Sequence, residues 1–238
     1  MKLDILAFGA HPDDVEISCS GTLLKHISMG KTAGVVDLTR GELGTRGTPE
    51  GRLEEAAASA KILGLSVREN LGMRDGFFKN DEEHQLKVIA MIRKYRPDVV
   101  FCNSLHDRHT DHGRAGQLVQ DASYLSGLKM IETLDNNSLQ EPWRPKIVLR
   151  YIQDQFIVPD IVVDITGFME GKIASIKAFK TQFYDESSTE PQTPISVPYF
   201  FDMMYGRAMD MGRYAGVQHA EGFNCMRPAG VRDVTELF

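Results

Sequence analysis

The chain has 238 residues, of which 42% are hydrophobic and 25% charged, enough for one sizeable α/β domain with a full core. A net charge of -6 with no run of lysines or arginines argues against a nucleic-acid binder, and no apolar stretch approaches the length of a membrane span. Three widely separated cysteines, Cys19, Cys102 and Cys225, form neither a disulfide framework nor a CxxC motif, so buried free thiols are expected. With no basic segment leading into a signal-peptide core, the chain is expected to begin near Met1 and to remain in the cytoplasm.

In chain order, Leu3 to Phe8 is an apolar run with the length of a buried parallel strand, and it breaks at Gly9-Ala10 into His11-Pro12-Asp13-Asp14. Cys19 to Met29 reads as a helix stopped by Gly30, and Ala33 to Leu38 as a second strand, completing a βαβ unit. The polar segment 39–48, with three glycines, follows that strand, where α/β folds put substrate loops, and is expected to be mobile and ligand-facing. Pro49 opens a helix through about Leu63 with Gly64 as its stop, and a short strand follows at Val67 to Leu71. Glu82 to Tyr95 has the spacing of an amphipathic helix that ends before Pro97. The strand Asp98 to Cys102 then feeds a second polar cluster, His106-Asp107-Arg108-His109-Thr110-Asp111-His112. Gly113 to Leu128 is helical in character, Asp135 to Pro145 a loop, and Ile147 to Ile152 and Ile161 to Ile165 strands. A helix is expected over Gly167 to Phe183, an irregular excursion over Tyr184 to Pro198, and a methionine-rich helix from about Tyr199 to Arg213, its methionines read as core or subunit contact. A closing segment is expected at Gly216 to Phe223.

This pattern predicts a single Rossmann-like α/β domain over residues 1–238, with a mostly parallel sheet, helices on both faces and a metal site at the C-terminal ends of the strands. Two clusters dense in ligand chemistry, each following a strand, meet at such an edge. A hydrolytic zinc ion takes three protein ligands and leaves a fourth position to water. His11, Asp14 and His112 supply that set, with Asp13 left to take a proton from the water. Each cluster alone also fits solvated turn chemistry, and Asp13 also fits a helix cap.

The motif Ala10-His11-Pro12-Asp13-Asp14-Val15-Glu16, the downstream Asp107-x-His109-x-Asp111-His112 and the ending Ala220-Glu221-Gly222-Phe223 resemble the LmbE-like (PIG-L) family of zinc-dependent N-deacetylases. Within it, the chain is most similar to the branch acting on N-acetylglucosaminyl malate in bacillithiol biosynthesis. The resemblance implies a zinc site on His11, Asp14 and His112, with Asp13 as general base. It assigns His109 to the oxyanion or the leaving amine, Asp111 to tuning that role, and Arg52 to the substrate pocket. Tyr199 aligns loosely with an oxyanion-binding tyrosine, and relatives suggest a homo-oligomer. A malate-bearing substrate is dianionic, and Arg52 and Arg108 would supply bidentate positive charge to it.

Alternatives stay open on the sequence. Arg52 also fits an exposed intrahelical pair with Glu55, and Asp111 a role only behind a ligand. Arg40, Arg46 and His219 have no assigned role, while His26, His84 and His106 read as structural or exposed. Two histidines and one carboxylate suit ferrous iron as well as zinc. Competing functions are a deacetylase of another amino-sugar conjugate, another metal hydrolase, and a non-catalytic Rossmann-like binding module. Against the module, the chain has no GxGxxG and no P-loop lysine after its first strand, so a phosphate cradle is missing.

Overall fold

The computed structural model describes residues 1–237. Its centre is β1 (Ile5–Gly9), buried along its whole length. Ile5 and Ala7 enter one core while Leu6 and Phe8 enter another, the period of two of a strand covered on both faces. The chain continues through α1 (Asp14–Ser28), β2 (Ala33–Thr39), α2 (Pro49–Leu63), β3 (Val67–Met73), α3 (Glu82–Tyr95), β4 (Val99–Asn103) and α4 (Thr110–Leu125). A small hairpin, β5 (Leu134–Asp135) and β6 (Ser138–Leu139), precedes β7 (Ile147–Tyr151), β8 (Ile161–Asp164), α5 (Met169–Lys177), α6 (Phe200–Gly212) and β9 (Ala220–Cys225).

The seven-stranded sheet has the order β3-β2-β1-β4-β7-β9-β8. β3, β2, β1, β4 and β7 run parallel, and β9 lies antiparallel between β7 and β8. Helices α3 and α4 cover one face, packing against Leu6, Phe8, Val36 and Val100. On the other face α1 meets Ile5, Ala7 and Val35, and α2, α5 and α6 add an outer layer around Ile173, Phe179 and Phe200. No helix among the described residues is long and apolar enough to cross a membrane.

Local chemistry explains most boundaries. Thr48 Oγ1 accepts from Gly51 N at 3.1 Å with Pro49 at the first helical position, and Gly64 at φ 70° ends α2. Asp81 Oδ1 accepts from His84 N at 3.2 Å to open α3. Within the segment expected to be a loop, Asn136 and Asn137 at φ 49° and 63° turn the β5–β6 hairpin.

Four boundaries differ from expectation. α1 starts at Asp14 rather than at Cys19, because Asp13 adopts a left-handed conformation that turns the chain directly into a helix with Asp14 and Glu16 favourably in its first turn. α4 starts at Thr110, not Gly113, since His109 itself caps it. α5 is shorter, its expected end at Phe183 replaced by turns that still bury Phe179 and Phe183. The closing segment is a strand, Ala220–Cys225, that inserts into the sheet interior.

Candidate metal centre

β1 leads to β2 on one side of itself, whereas β4 lies on its other side, so the strand order reverses between β1 and β4. A crevice opens outside the carboxyl ends of two such strands. The loop after β1 and the start of α1 bring His11, Asp13 and Asp14 there, and the loop after β4 and the first turn of α4 bring Asp107, His109, Asp111 and His112. The loop after β1 is tied to the end of β4 by Ala10 N, which donates to Asn103 Oδ1 at 3.1 Å, and to the end of β2 by Thr39 Oγ1, which donates to Ala10 O at 2.9 Å.

Asp14 is the point of convergence. Its Oδ1 lies 3.1 Å from His112 Nε2 and its Oδ2 3.6 Å from His11 Nδ1. Gln153 Nε2, Asn103 Nδ2 and the His11 backbone N–H donate to the same carboxylate at 2.8, 3.2 and 3.0 Å. Each imidazole has a carboxylate at its other nitrogen. His11 Nε2 lies 3.0 Å from Asp75 Oδ1 and 3.4 Å from Asp111 Oδ2, and His112 Nδ1 lies 3.3 Å from Asp107 Oδ1. A carboxylate behind a metal-ligating histidine fixes its tautomer and orientation.

Burial opposes charge on His11, yet Asp111, Asp14 and Asp75 outweigh it and hold the imidazolium well above its ordinary pKa. His112, desolvated but facing Asp14 and Asp107, is raised to about 9. Burial raises Asp14, but His112 and His11 pull its carboxyl well below the usual range. The pocket thus pairs its acids with protons on two imidazoles, and a divalent cation would displace protons from such ligands. The donor types fit: His11 Nδ1 and His112 Nε2 each face the Asp14 carboxylate, one on each oxygen, and nitrogens of His11, His109 and His112 lie within 4.8 Å of one another. His11, Asp75 and Asp111 also approach within 4.8 Å. In that second group Asp75 and Asp111 both stand at His11 Nε2, the nitrogen opposite the one that faces Asp14; Asp75 accepts from Leu43 N at 2.9 Å and Asp111 from Gly76 N and Arg114 Nη1, each at 2.8 Å.

Asp13 sits at φ 118°, a strained value for a residue with a side chain, and its carboxylate caps nothing. It is buried at the cleft wall, 3.7 Å from Arg52 Nη2, and burial, partly opposed by Arg52, pushes its pKa up to about 7. His109 Nδ1 accepts from Asp111 N at 3.2 Å, leaving Nε2 as its exchangeable proton site. Burial and the neighbouring His11 and His112 charges lower its pKa.

The cleft above these groups has a volume of about 400 Å³, within the roughly 300–1,000 Å³ of small-molecule sites. Leu43, Gly44 and Thr45 from the glycine-rich loop line it, as do Arg52 and Gln182. Arg52 turns inward and donates to Gln182 Oε1, while Glu55 is taken by Thr181, so no Arg52–Glu55 pair forms. Arg108 reaches the rim with its guanidinium on Asp154 at 2.8 Å. Tyr199 is not brought to the cleft; it stands 58% exposed at the entry to α6. Arg46 is buried against Glu190 and Ser188, and His219 packs beside Tyr205 away from the cleft.

Asp75, Asn103 and Gln153 escape motif reading, and Asp107 is in the motif but without an assigned role. Asp75 follows the third parallel strand in Arg74-Asp75-Gly76, a signal that resembles an ordinary turn. Asp107 lies inside the second cluster, where nothing in the sequence separates its role from that of its neighbours.

This arrangement, two carboxylate-backed imidazoles and an acid at a switch point with a free carboxylate beside them, defines a metal-competent α/β enzyme site. The sequence model of the family described as "PIG-L: GlcNAc-PI de-N-acetylase" matches residues 6–123, the span holding both clusters. The conserved protein TT1542 from Thermus thermophilus is 34% identical with a TM-score of 0.86, covering 98% of each chain. Diacetylchitobiose deacetylase of Thermococcus kodakarensis is 29% identical over 228 residues, covering 92% of this chain and 81% of that protein. A 4-oxalmesaconate hydratase of Pseudomonas putida is 28% identical, covering 74% of this chain and 73% of the hydratase. The chain belongs to the PIG-L (LmbE-like) family.

Proposed function

We propose that the protein is a metal-dependent deacetylase that hydrolyses the N-acetyl group of an N-acetylglucosamine conjugate, with N-acetylglucosaminyl malate as its substrate. The observation that carries this reading is the convergence of His11 Nδ1 and His112 Nε2 on Asp14, with the Asp13 carboxylate beside them capping no helix and facing Arg52. His11, Asp14 and His112 would hold the ion, and their donor set suits zinc and ferrous iron alike. When bound, such an ion supplies Lewis acidity toward the amide carbonyl and acidifies water. Asp13 takes a proton from the attacking water, held in place by Arg52 at 3.7 Å. Asp13, carrying the proton taken from that water, hands it on to the departing amine, while His109 donates its Nε2–H to the developing oxyanion. Asp111 and Asp75 keep the His11 ring aimed at Asp14. Arg52 on the wall and Arg108 on the rim give an otherwise acidic protein the local positive charge to receive carboxylates of the aglycone.

The test is release of acetate and free amine by zinc-loaded protein from N-acetylglucosaminyl malate, N,N'-diacetylchitobiose and N-acetylglucosamine. The expected order of kcat/KM places the malate conjugate first. Turnover of chitobiose with none of the malate conjugate would keep the deacetylase and replace the substrate. No acetate from any of the three, with hydration of 4-oxalmesaconate, would replace the reaction.

A further inference from the structure

Behind the metal pocket, the backbone of α1 is shared with a buried side-chain pair. Lys172 Nζ, from α5, donates to the carbonyls of Ile17 at 2.7 Å and Glu16 at 3.2 Å. The Glu221 carboxylate, from β9, accepts from the N–H groups of Gly21 at 3.0 Å and Thr22 at 2.7 Å. In a regular helix Gly21 N–H and the Ile17 carbonyl pair with each other. Here both are met by a Lys172–Glu221 ion pair 2.6 Å long, whose residues are 3% and 4% exposed. A Cβ at Gly21 would lie 2.8 Å from Ile165 Cδ1 and 3.0 Å from Glu221 Oε1, so the missing side chain makes room for the carboxylate.

A pair this deep is a poor device for stability alone, because desolvation consumes most of the attraction and an apolar pair of similar volume often does as well or better. Its location offers something an apolar pair cannot. Ile17 stands in the wall between the cleft and a chamber of about 20 Å³ bounded by Lys172 and Glu221. Its carbonyl accepts from Lys172 while its N–H donates to the Asp13 carbonyl at 3.0 Å. Asp13 is the residue held at φ 118°, and such strain persists only where the surroundings over-determine it.

We propose that Lys172 and Glu221 are positioning residues that clamp the first turn of α1 through Ile17, and so hold Asp13 and Asp14 against the metal pocket. The inference rests on the deacetylase reading for the ion that Asp14 would hold. Its test uses cobalt(II) as the probe, reading the dissociation constant and the visible absorption spectrum, with the thermal midpoint measured alongside. In the double variant Lys172→Met/Glu221→Leu, an apolar pair replaces the ion pair while α1 keeps its own backbone ladder. The midpoint should then hold or rise while cobalt affinity falls about tenfold, the scale of losses from groups behind metal ligands, and the spectrum changes. Glu221→Gln, nearly isosteric, is the second arm, since its amide turns a donor toward one of the two N–H groups, and it should lose affinity severalfold in the same direction. Cobalt affinity and spectrum unchanged from wild type in either folded variant would overturn the clamp alone. A wild-type chain that takes up no cobalt would overturn the metal reading and the clamp with it.

Discussion

His11 and His112 each have two nitrogens, and in each ring one of them has a carboxylate beside it other than Asp14. Asp75 accounts for His11 at 3.0 Å and Asp107 for His112 at 3.3 Å, so the opposite nitrogens face Asp14. Asp75→Ala should therefore weaken metal binding about 10- to 100-fold without removing a ligand, measured by competition with a chromophoric chelator. Full affinity in that variant would assign the orienting role to Asp111 alone. Asp13 makes the opposite prediction. Its carboxylate caps no helix N–H and lies at the cleft wall, so Asp13→Asn should keep the metal while lowering kcat about 100-fold or more, the scale of a lost general base. Near-normal turnover in acetate-release assays would reduce Asp13 to a turn residue.

Among the elements, α1 carries the greatest demand. It opens with Asp14 and is gripped from both sides: by Lys172 and Glu221 behind, and by Arg68 of β3 in front. Arg68 bonds Glu16 at 2.5 Å and Asp37 at 2.8 and 3.0 Å, and Ser59 of α2 donates to the same Glu16 oxygen at 2.6 Å. Arg68→Met would strand two buried carboxylates, a loss of about 3–5 kcal/mol measurable by urea unfolding. Burial already raises the Asp37 pKa, with Arg68 opposing it. Without the guanidinium the folded-state pKa rises further above the unfolded one. The folded variant then binds protons that the unfolded chain does not, so its stability falls as pH rises. The deficit against wild type should be larger at about pH 8 than at about pH 5, and a deficit independent of pH would show that the acids are not the source.

For the whole molecule, the site joins two loops from separate halves of the parallel sheet, so a bound ion cross-links the fold. Zinc at about 100 times its dissociation constant adds about 2.7 kcal/mol to the folded state. For a domain of this length that raises the thermal midpoint by roughly 5–10 °C, read by calorimetry with and without chelator. His112→Ala should abolish the shift, and a variant that kept it would remove His112 from the ligand set.

Local signals determined much of this protein. Parallel strands read as apolar runs because both faces are buried, so β1 and β4 and the crevice beyond them follow from the sequence, as do α2 and α3, whose capping residues are local. The His-Pro-Asp-Asp turn and the second histidine cluster mark the candidate site because ligand side chains are dense there by type. Only the tertiary structure decided the rest. The starts of α1 and α4 moved because Asp13 and His109 adopt conformations set by the crevice, not by propensity. The place of β9 between β7 and β8 depends on pairing across some 70 residues of intervening chain, which no period of hydrophobicity records. Asp75, Gln153 and Lys172 look like ordinary polar residues in sequence, Glu221 stands in a recognisable segment but without a role, and they become partners of His11, Asp14 and α1 only when strands far apart in the chain are brought together. The physical reason is range: caps, turns and strand period act over a few residues, whereas the orientation of a ligand and the pairing of a buried charge are fixed by neighbours that the fold alone supplies.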